Sequence, residues 1–203
     1  MVVLTDEALD ELAREVARAL WAGESSERVL PSLLSLAHEA AEGSETWCFA
    51  NRQLAALLAP SDPWRASLLC RKLLYEDSHD AGAWAALGLA QSLLGNLRYA
   101  VHCYERALRF SPKDARVCHN LGHLYDVALD DPARARPLLE RAHAAFPKDA
   151  DVAASLAHAL GRLGEAEAGL RMLRPRLEGG ATREQHRLVA WLEAAAVRAT
   201  PRS

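Results

Sequence analysis

The sequence has no long apolar run and no closely spaced cysteine pair. No window approaches the eighteen apolar residues that a membrane-spanning helix needs, so we predict none. The first seven residues, MVVLTDE, lack the basic region and the apolar stretch of a signal peptide. The four cysteines, Cys48, Cys70, Cys103 and Cys118, are scattered without a C-x-x-C pair, which is typical of a reducing compartment. We therefore expect a cytoplasmic protein that has no membrane partner.

The common catalytic and cofactor-binding motifs are missing as well. Neither G-x-G-x-x-G nor G-x-x-x-x-G-K-[ST] occurs, so nucleotide binding has no support, and no serine stands in G-x-S-x-G. Cys118 adjoins His119, but adjacent residues on a helix point to different faces. The net charge of −3 gives no reason to expect a nucleic-acid partner. The sequence therefore predicts neither an enzyme nor a cofactor.

Acidic residues are concentrated at the beginning of the chain. Residues 1–46 contain ten acidic residues and three arginines, a net charge of −7, which leaves +4 for the remainder. The simplest interpretation is a solvated outer face on the first helices. A partner that binds these acidic helices is the alternative.

A helical motif fills residues 81–114. Its positions are Trp84, Leu87, Gly88, Gly95, Ala100, Tyr104, Ala107 and Pro112. This segment resembles the tetratricopeptide repeat, W-x2-L-G-x2-Y followed by A-x3-F and P, with Gln91 in the tyrosine position. The resemblance implies two antiparallel helices that cross closely at Gly88 and Ala100. One such hairpin cannot bury its own apolar face, so the motif should recur.

The motif does recur along the chain. Leu121 and Gly122 follow Leu87 and Gly88 by 34 residues, whereas Ala135 and Pro147 follow their counterparts by 35. We therefore expect one extra residue, in the turn Asp130-Asp131-Pro132. The predicted repeats are 47–80, which is degenerate because Leu54 replaces the glycine, and then 81–114, 115–149 and 150–183. The predicted fold is an all-α solenoid of antiparallel helix pairs, a right-handed superhelix of the tetratricopeptide type.

Helical segments without the motif flank the repeats. We predict an N-terminal cap over residues 1–46, with helices at 5–21 and up to about 41, and a C-terminal cap over 184–203. Its helix, 182–198, should bury Leu188, Val189, Leu192 and Val197, and the tail 200–203 should fray. We further expect Asp80 and Asn96 to cap helices, Pro137 to bend one, and Pro175 to end one early.

The resemblance also implies a binding surface, because in this family the first helix of each repeat lines a concave groove. Counting from the predicted repeat starts, the second, fifth, sixth and ninth positions face inward. The candidate partner-binding residues at these positions are Arg52, Leu89, Arg116, His119, Asn120, His123 and His158. Asn120 stands where the family often has an asparagine that bonds the ligand backbone, so we expect it to be the central contact.

Three functions remain open at this point. The first is a non-catalytic adaptor or scaffold that binds a peptide or domain of a partner protein in the groove. The second is a secretion-type chaperone for an effector, a use that some small members of the family have. The third is a metal-dependent enzyme built on His119, His123 and His158; the first two have the spacing of H-E-x-x-H, but Asn120 replaces the glutamate. We favour the adaptor and expect no metal.

Overall fold

The computed structural model describes residues 5–177 and 180–199, and in these ranges the only regular structure is helical. The prediction of an all-α solenoid of helix pairs is confirmed. The predicted fraying of the tail 200–203 and the predictions for residues 1–4, 178 and 179 concern residues outside the described ranges. The helices are α1 (Asp6–Trp21), α2 (Ser26–Glu39), α3 (Glu45–Leu58), α4 (Pro63–Glu76), α5 (Ala81–Leu93), α6 (Leu97–Phe110), α7 (Ala115–His123), α8 (Pro132–Ala145), α9 (Ala150–Arg162), α10 (Ala166–Leu173) and α11 (Arg183–Ala199).

The helices belong to two compact units, which divide between Pro112 and Lys113. Within each unit, every helix packs against the next one along the chain. The N-terminal unit contains α1–α6 and the C-terminal unit contains α7–α11. None of the described helices is long and apolar enough to span a bilayer.

Aspartates begin the first helices of the repeats. The Asp80 carboxylate accepts the backbone N–H of Ala83 at 2.9 Å, as predicted, and so caps α5. Asp114 caps α7 and Asp149 caps α9 in the same way. Each carboxylate satisfies a backbone N–H that has no partner inside its helix and stabilises the positive end of the helix dipole.

Asn96 lies at the N-cap position of α6, as predicted, but its side chain makes no capping hydrogen bond. Its side-chain amide instead donates to Oε1 of Gln91 at 2.8 Å, and Nε2 of Gln91 donates to Oγ of Ser67 at 2.8 Å. Gln91 and Ser67 are both buried. Gln91 is the residue that departs from the repeat motif. Its two side-chain hydrogen bonds connect α4, α5 and the turn after α5, and they satisfy its own buried amide.

Helix pairs cross closely at the motif glycines, as predicted. A Cβ atom built on Gly88 would lie 2.7 Å from the Tyr104 ring, and one on Gly122 would lie 2.7 Å from Cγ of Leu139. In the degenerate repeat, Leu54 is buried and packs in the core that α1 and α2 share with α3. The bulky residue at this position is therefore part of the contact with the N-terminal cap.

The extra residue is not in the turn where the sequence placed it. Residues Leu124–Ala128 continue α7 as one wide π-helical turn, in which the Leu129 N–H donates to the Leu124 carbonyl at 3.0 Å. The helical segment 115–128 is thus one residue longer than 81–93, and each is followed by three residues before the next helix. A π turn of this kind absorbs an insertion inside a helix and often lies at a functional site.

The C-terminal part follows the sequence predictions with one correction. Helix α10 ends at Leu173 and a 3₁₀ turn containing Pro175 follows, as expected. Pro137 lies within α8, which continues to Ala145, and a bend there stays a prediction. Val197 does not face the core but is 75% exposed, whereas Leu192 is buried. Ala195 and Ala196 pack beside Leu192 in its place.

All four cysteines are free, and Cys70, Cys103 and Cys118 are buried. Burial raises the pKa of Cys70 and of Cys103 to about 12, so these thiols are protonated at neutral pH. They act as small apolar residues in the core between α4, α5 and α6, as the repeat register predicted. The cytoplasmic location stays a prediction.

Candidate functional site

The two candidate residues of the N-terminal unit take part in its own packing. Two nitrogens of the Arg52 guanidinium donate hydrogen bonds to Oδ2 of Asp80. The distances are 2.7 Å from Nη2 and 3.0 Å from Nε. Asp80 also caps α5, so this ion pair fixes α3 against the beginning of the next repeat. Leu89 is partly buried and packs against Ala59, Ala66 and Ala90. Arg52 therefore has a structural partner already in place.

The C-terminal unit brings the remaining candidates together on α7 and α9. We call this surface the α7–α9 face; its members are Arg116, His119, Asn120, His123, Ser155 and His158. Nε2 of His119 lies 3.0 Å from Oγ of Ser155, and the rings of His119 and His123 are 6.5 Å apart. The hydrogen bond joins the two helices and orients the His119 ring.

Asn120 is half-buried on the same face. In the part of the chain that the structure describes, its side-chain amide has no hydrogen-bond partner. An asparagine amide can donate two hydrogen bonds and accept others at the same time. The Asn120 amide can therefore bond both the N–H and the C=O of a peptide main chain. It adjoins His119, whose imidazole is oriented by Ser155.

His158 belongs to a network that the sequence did not predict. Its Nδ1 lies 2.5 Å from Oδ2 of Asp126, a residue that is only 1% exposed. Nη1 of Arg162 donates to the other carboxylate oxygen at 3.1 Å and to the backbone carbonyl of Asp126, and Nη2 contacts the exposed Asp130. Asp126 lies in the π turn, so the extra residue and the network are parts of one structure. The 35-residue spacing from Ala100 to Ala135 was the feature of the sequence that could have indicated this turn.

Helix α11 covers the neighbouring part of α9. The His158 ring stacks on Trp191 with the centroids 5.3 Å apart, and Leu192 lies so close to Gly161 that a Cβ there would be 2.5 Å from its Cδ2. Nε2 of Gln185 donates to Asp151 at 3.3 Å. The imidazole of His158 is therefore held between a carboxylate and an indole, while His119, Asn120 and His123 remain accessible to a partner.

The three histidines do not form a metal site. Among the described residues, no three His, Cys, Asp or Glu side chains are arranged to hold a metal ion. His158 turns one ring nitrogen toward Asp126, and His119 directs Nε2 to Ser155.

Both accessible histidines favour the neutral state. Burial lowers the pKa of His119 below the ordinary value of 6.5; neighbouring His123 lowers it further, and Asp149 and Asp151 raise it. Loss of solvent around the His123 ring lowers its pKa as well, although the residue stays partly open to solvent, and His158 opposes its charge while Asp126 favours it. At neutral pH the face therefore acts mainly through hydrogen bonds.

These lowered pKa values predict a pH dependence of stability. The unfolded chain protonates both histidines near pH 6.5 and so binds more protons than the folded one. The stabilisation is complete above that pH and is lost as the pH falls through the lowered values of the folded state. We expect the urea midpoint to fall between about pH 7 and pH 5, and to fall less in the double variant His119→Gln, His123→Gln.

The control for this experiment is His186→Gln, which changes an exposed histidine of α11. Its urea midpoint should follow the pH dependence of the parent. A double variant whose midpoint falls as steeply as that of the parent would contradict the assignment to His119 and His123.

Sequence comparison identifies one family. Profiles of the tetratricopeptide repeat match residues 81–114 and 126–192. No curated protein matches the chain.

Solved structures share the fold at low sequence identity. A PilF from Pseudomonas aeruginosa superposes with a TM-score of 0.70 at 20% identity, over 98% of this chain and 94% of that one. YrrB, described as a tetratricopeptide repeat protein with an unusual peptide-binding site, gives 0.63 at 22% identity, over 71% and 75%. MamA from Desulfovibrio magneticus RS-1 gives 0.62 at 18% identity, over 73% and 89%. Similarity at this level shows the architecture alone.

Proposed function

Because the chain belongs to the tetratricopeptide repeat family of protein-interaction modules, we propose that it is a non-catalytic adaptor that binds a peptide segment of a partner protein on the α7–α9 face. The segment would lie in extended form along α7. Its main-chain groups would meet Asn120 and the two accessible histidines, and its side chains would supply the specificity.

The unpaired amide of Asn120 is the observation that carries the proposal. It is half-buried, so its donors and acceptors are partly withdrawn from water and gain most from a ligand that replaces the lost hydrogen bonds. A main-chain peptide unit offers one N–H and one C=O, which the amide can bond simultaneously. The Ser155 hydroxyl orients the neighbouring His119 ring in advance, which reduces the entropic cost of binding.

Charge on this face comes mainly from Arg116. Its guanidinium lies over the Phe146 ring, 5.3 Å from the centroid, and the residue is exposed. The two neutral histidines add hydrogen-bonding groups and gain charge below pH 6.5. Binding of an acidic segment should therefore tighten as the pH falls toward 5, and binding of a basic segment should weaken.

The test begins with affinity purification of the full chain from its native source and identification of the recovered protein by mass spectrometry. Affinity for that partner is then measured by calorimetry. We expect Asn120→Ala to cost about 1–3 kcal/mol, because it leaves a desolvated ligand group unpaired. This corresponds to a Kd roughly 5- to 150-fold higher. The double variant His119→Ala, His123→Ala should weaken binding as well.

The matched control is His186→Ala on α11, which should leave the affinity unchanged, and circular dichroism must show an intact fold for each variant. Unchanged affinity in both the asparagine variant and the double histidine variant would overturn the proposal and direct attention to the acidic N-terminal helices. Recovery of a client that is insoluble without this protein would favour the secretion-type chaperone instead.

A further inference from the structure

The N-terminal unit exposes an apolar stripe on the outer side of α4. Trp64 is 63% exposed, Leu68 45% and Tyr75 88%. At about 100° per residue these three side chains project within roughly 40° of one another. Large apolar residues grouped in this way on a surface mark an interaction site more often than isolated ones do, and Trp and Tyr are the residues most enriched at binding hot spots.

Cations without partners flank this stripe. Arg71 lies about 20° beyond one edge of it, and Lys72 and Arg65 lie about 40° and 60° beyond the other edge around the helix axis. In the described part of the chain none of the three forms an ion pair, whereas Arg52 and Arg136 are both paired with carboxylates. These three charges are complementary to an acidic ligand.

A cavity adjoins the same edge. It has a volume of about 570 Å³ and lies between α2, α3 and α4, with Arg65 and Lys72 on its rim. Its lining is mostly apolar and includes Leu34, Trp47, Leu54, Leu58 and Leu69. We call the stripe, the three cations and this cavity together the α4 face.

We propose that the α4 face binds an acidic amphipathic helix of a partner protein. The apolar residues of that helix would cover the stripe and enter the cavity, and its carboxylates would meet Arg65, Arg71 and Lys72. Helix α4 has fourteen residues, so the contact would extend over about 20 Å, or four turns of the bound helix. This site is separate from the α7–α9 face and does not depend on it.

Two other occupants fit the same surface less well. A lipid bilayer has no side chain to place in the cavity. The acidic helix α1 of a second copy already buries its apolar residues, Leu9 and Val16, in its own core. A helix of a different protein, with an exposed apolar side and flanking carboxylates, would both cover the stripe and pair with the three cations.

The probe for the test is a phage-displayed library of four-turn helices with randomised outer positions, selected on the full chain. We expect the recovered helices to have an apolar stripe flanked by Asp or Glu. Their Kd should rise at least tenfold in the double variant Trp64→Ser, Tyr75→Ser and in the charge reversal Arg65→Glu, Lys72→Glu. All four residues are at least partly exposed, so both variants should fold.

Three controls make the assignment specific. Trp21→Ser removes a tryptophan that is 94% exposed on α1, and Arg183→Glu with Arg187→Glu reverses two charges on α11. Neither change should alter the affinity for the selected helices. Asn120→Ala should not alter it either, which separates this site from the α7–α9 face.

Several results would overturn the proposal. The first is recovery of no helix, or of helices with neutral or basic flanks. Another is binding to phosphatidylglycerol vesicles that is lost in the Trp64→Ser, Tyr75→Ser variant, which would assign the surface to lipid. Self-association in sedimentation velocity that the same variant abolishes would assign it to a second copy of this chain.

Discussion

Gly122→Leu is expected to destabilise the protein by about 3 kcal/mol, at the upper end of the overpacking range. Cβ alone would lie 2.7 Å from Cγ and 2.9 Å from Cδ2 of Leu139, and 3.3 Å from the carbonyl oxygen of Ala135. A leucine side chain would extend further into α8, and the backbone oxygen cannot move without shifting that helix. Thermal unfolding should show a Tm lower by roughly 6–12 °C.

Ala144→Leu is the matched control for this change. It adds the same side chain to α8 at an exposed position, where the expected effect is within about 0.5 kcal/mol. If Gly122→Leu unfolds at the same urea concentration as the parent, the close contact between α7 and α8 is not at this residue and the repeat register is wrong.

Asp126→Asn should also lower the stability substantially, by about 2 kcal/mol. The carboxylate is buried and bonds Arg162 and His158, so the change leaves the Arg162 guanidinium without its buried countercharge. Removing one partner of a fully buried ion pair costs about 3–5 kcal/mol. The cost should be smaller here because both partners are partly open to solvent. Urea unfolding at pH 7 gives the measurement.

The matched control is Asp130→Asn, which removes the other carboxylate that contacts Arg162. Asp130 is 88% exposed at its side chain and has a φ of 57°, which asparagine also tolerates. An exposed pair contributes at most about 1 kcal/mol. Equal losses of stability in the two variants would contradict the importance we assign to burial at Asp126.

The helix pairs were predictable because local chemistry repeats in the sequence. Gly88 and Gly122 indicate where two helices cross closely, and Asp80 indicates where a helix begins. Each of these signals depends only on the residues of its own segment. The buried positions of Cys70 and Cys103 followed from the same register. These features depend on residues within one hairpin, so a spacing rule captures them.

The candidate site was less predictable because its residues form hydrogen bonds and ion pairs with residues outside their own helices. The repeat register placed Arg52 on the binding surface, but Asp80 lies within reach and pairs with it. His158 was assigned to the groove, yet Asp126 and Trp191 hold its ring. The Asn96 side chain bonds Gln91 across a turn, and the preference of asparagine for N-cap positions does not predict this bond. A position in the repeat determines which face a residue occupies, but not which neighbour it bonds.

The π turn at residues Leu124–Ala128 determines how the repeats of this array align with one another. A one-residue insertion is ordinarily assigned to a loop when repeats are aligned, yet here the turn before α8 keeps the same length as its counterpart before α6. An alignment of the repeats to one another should therefore open its gap inside the helix. With that gap, Asp126 lies in the turn that contains the additional residue, so the buried carboxylate belongs to the stretch in which the two copies differ in length.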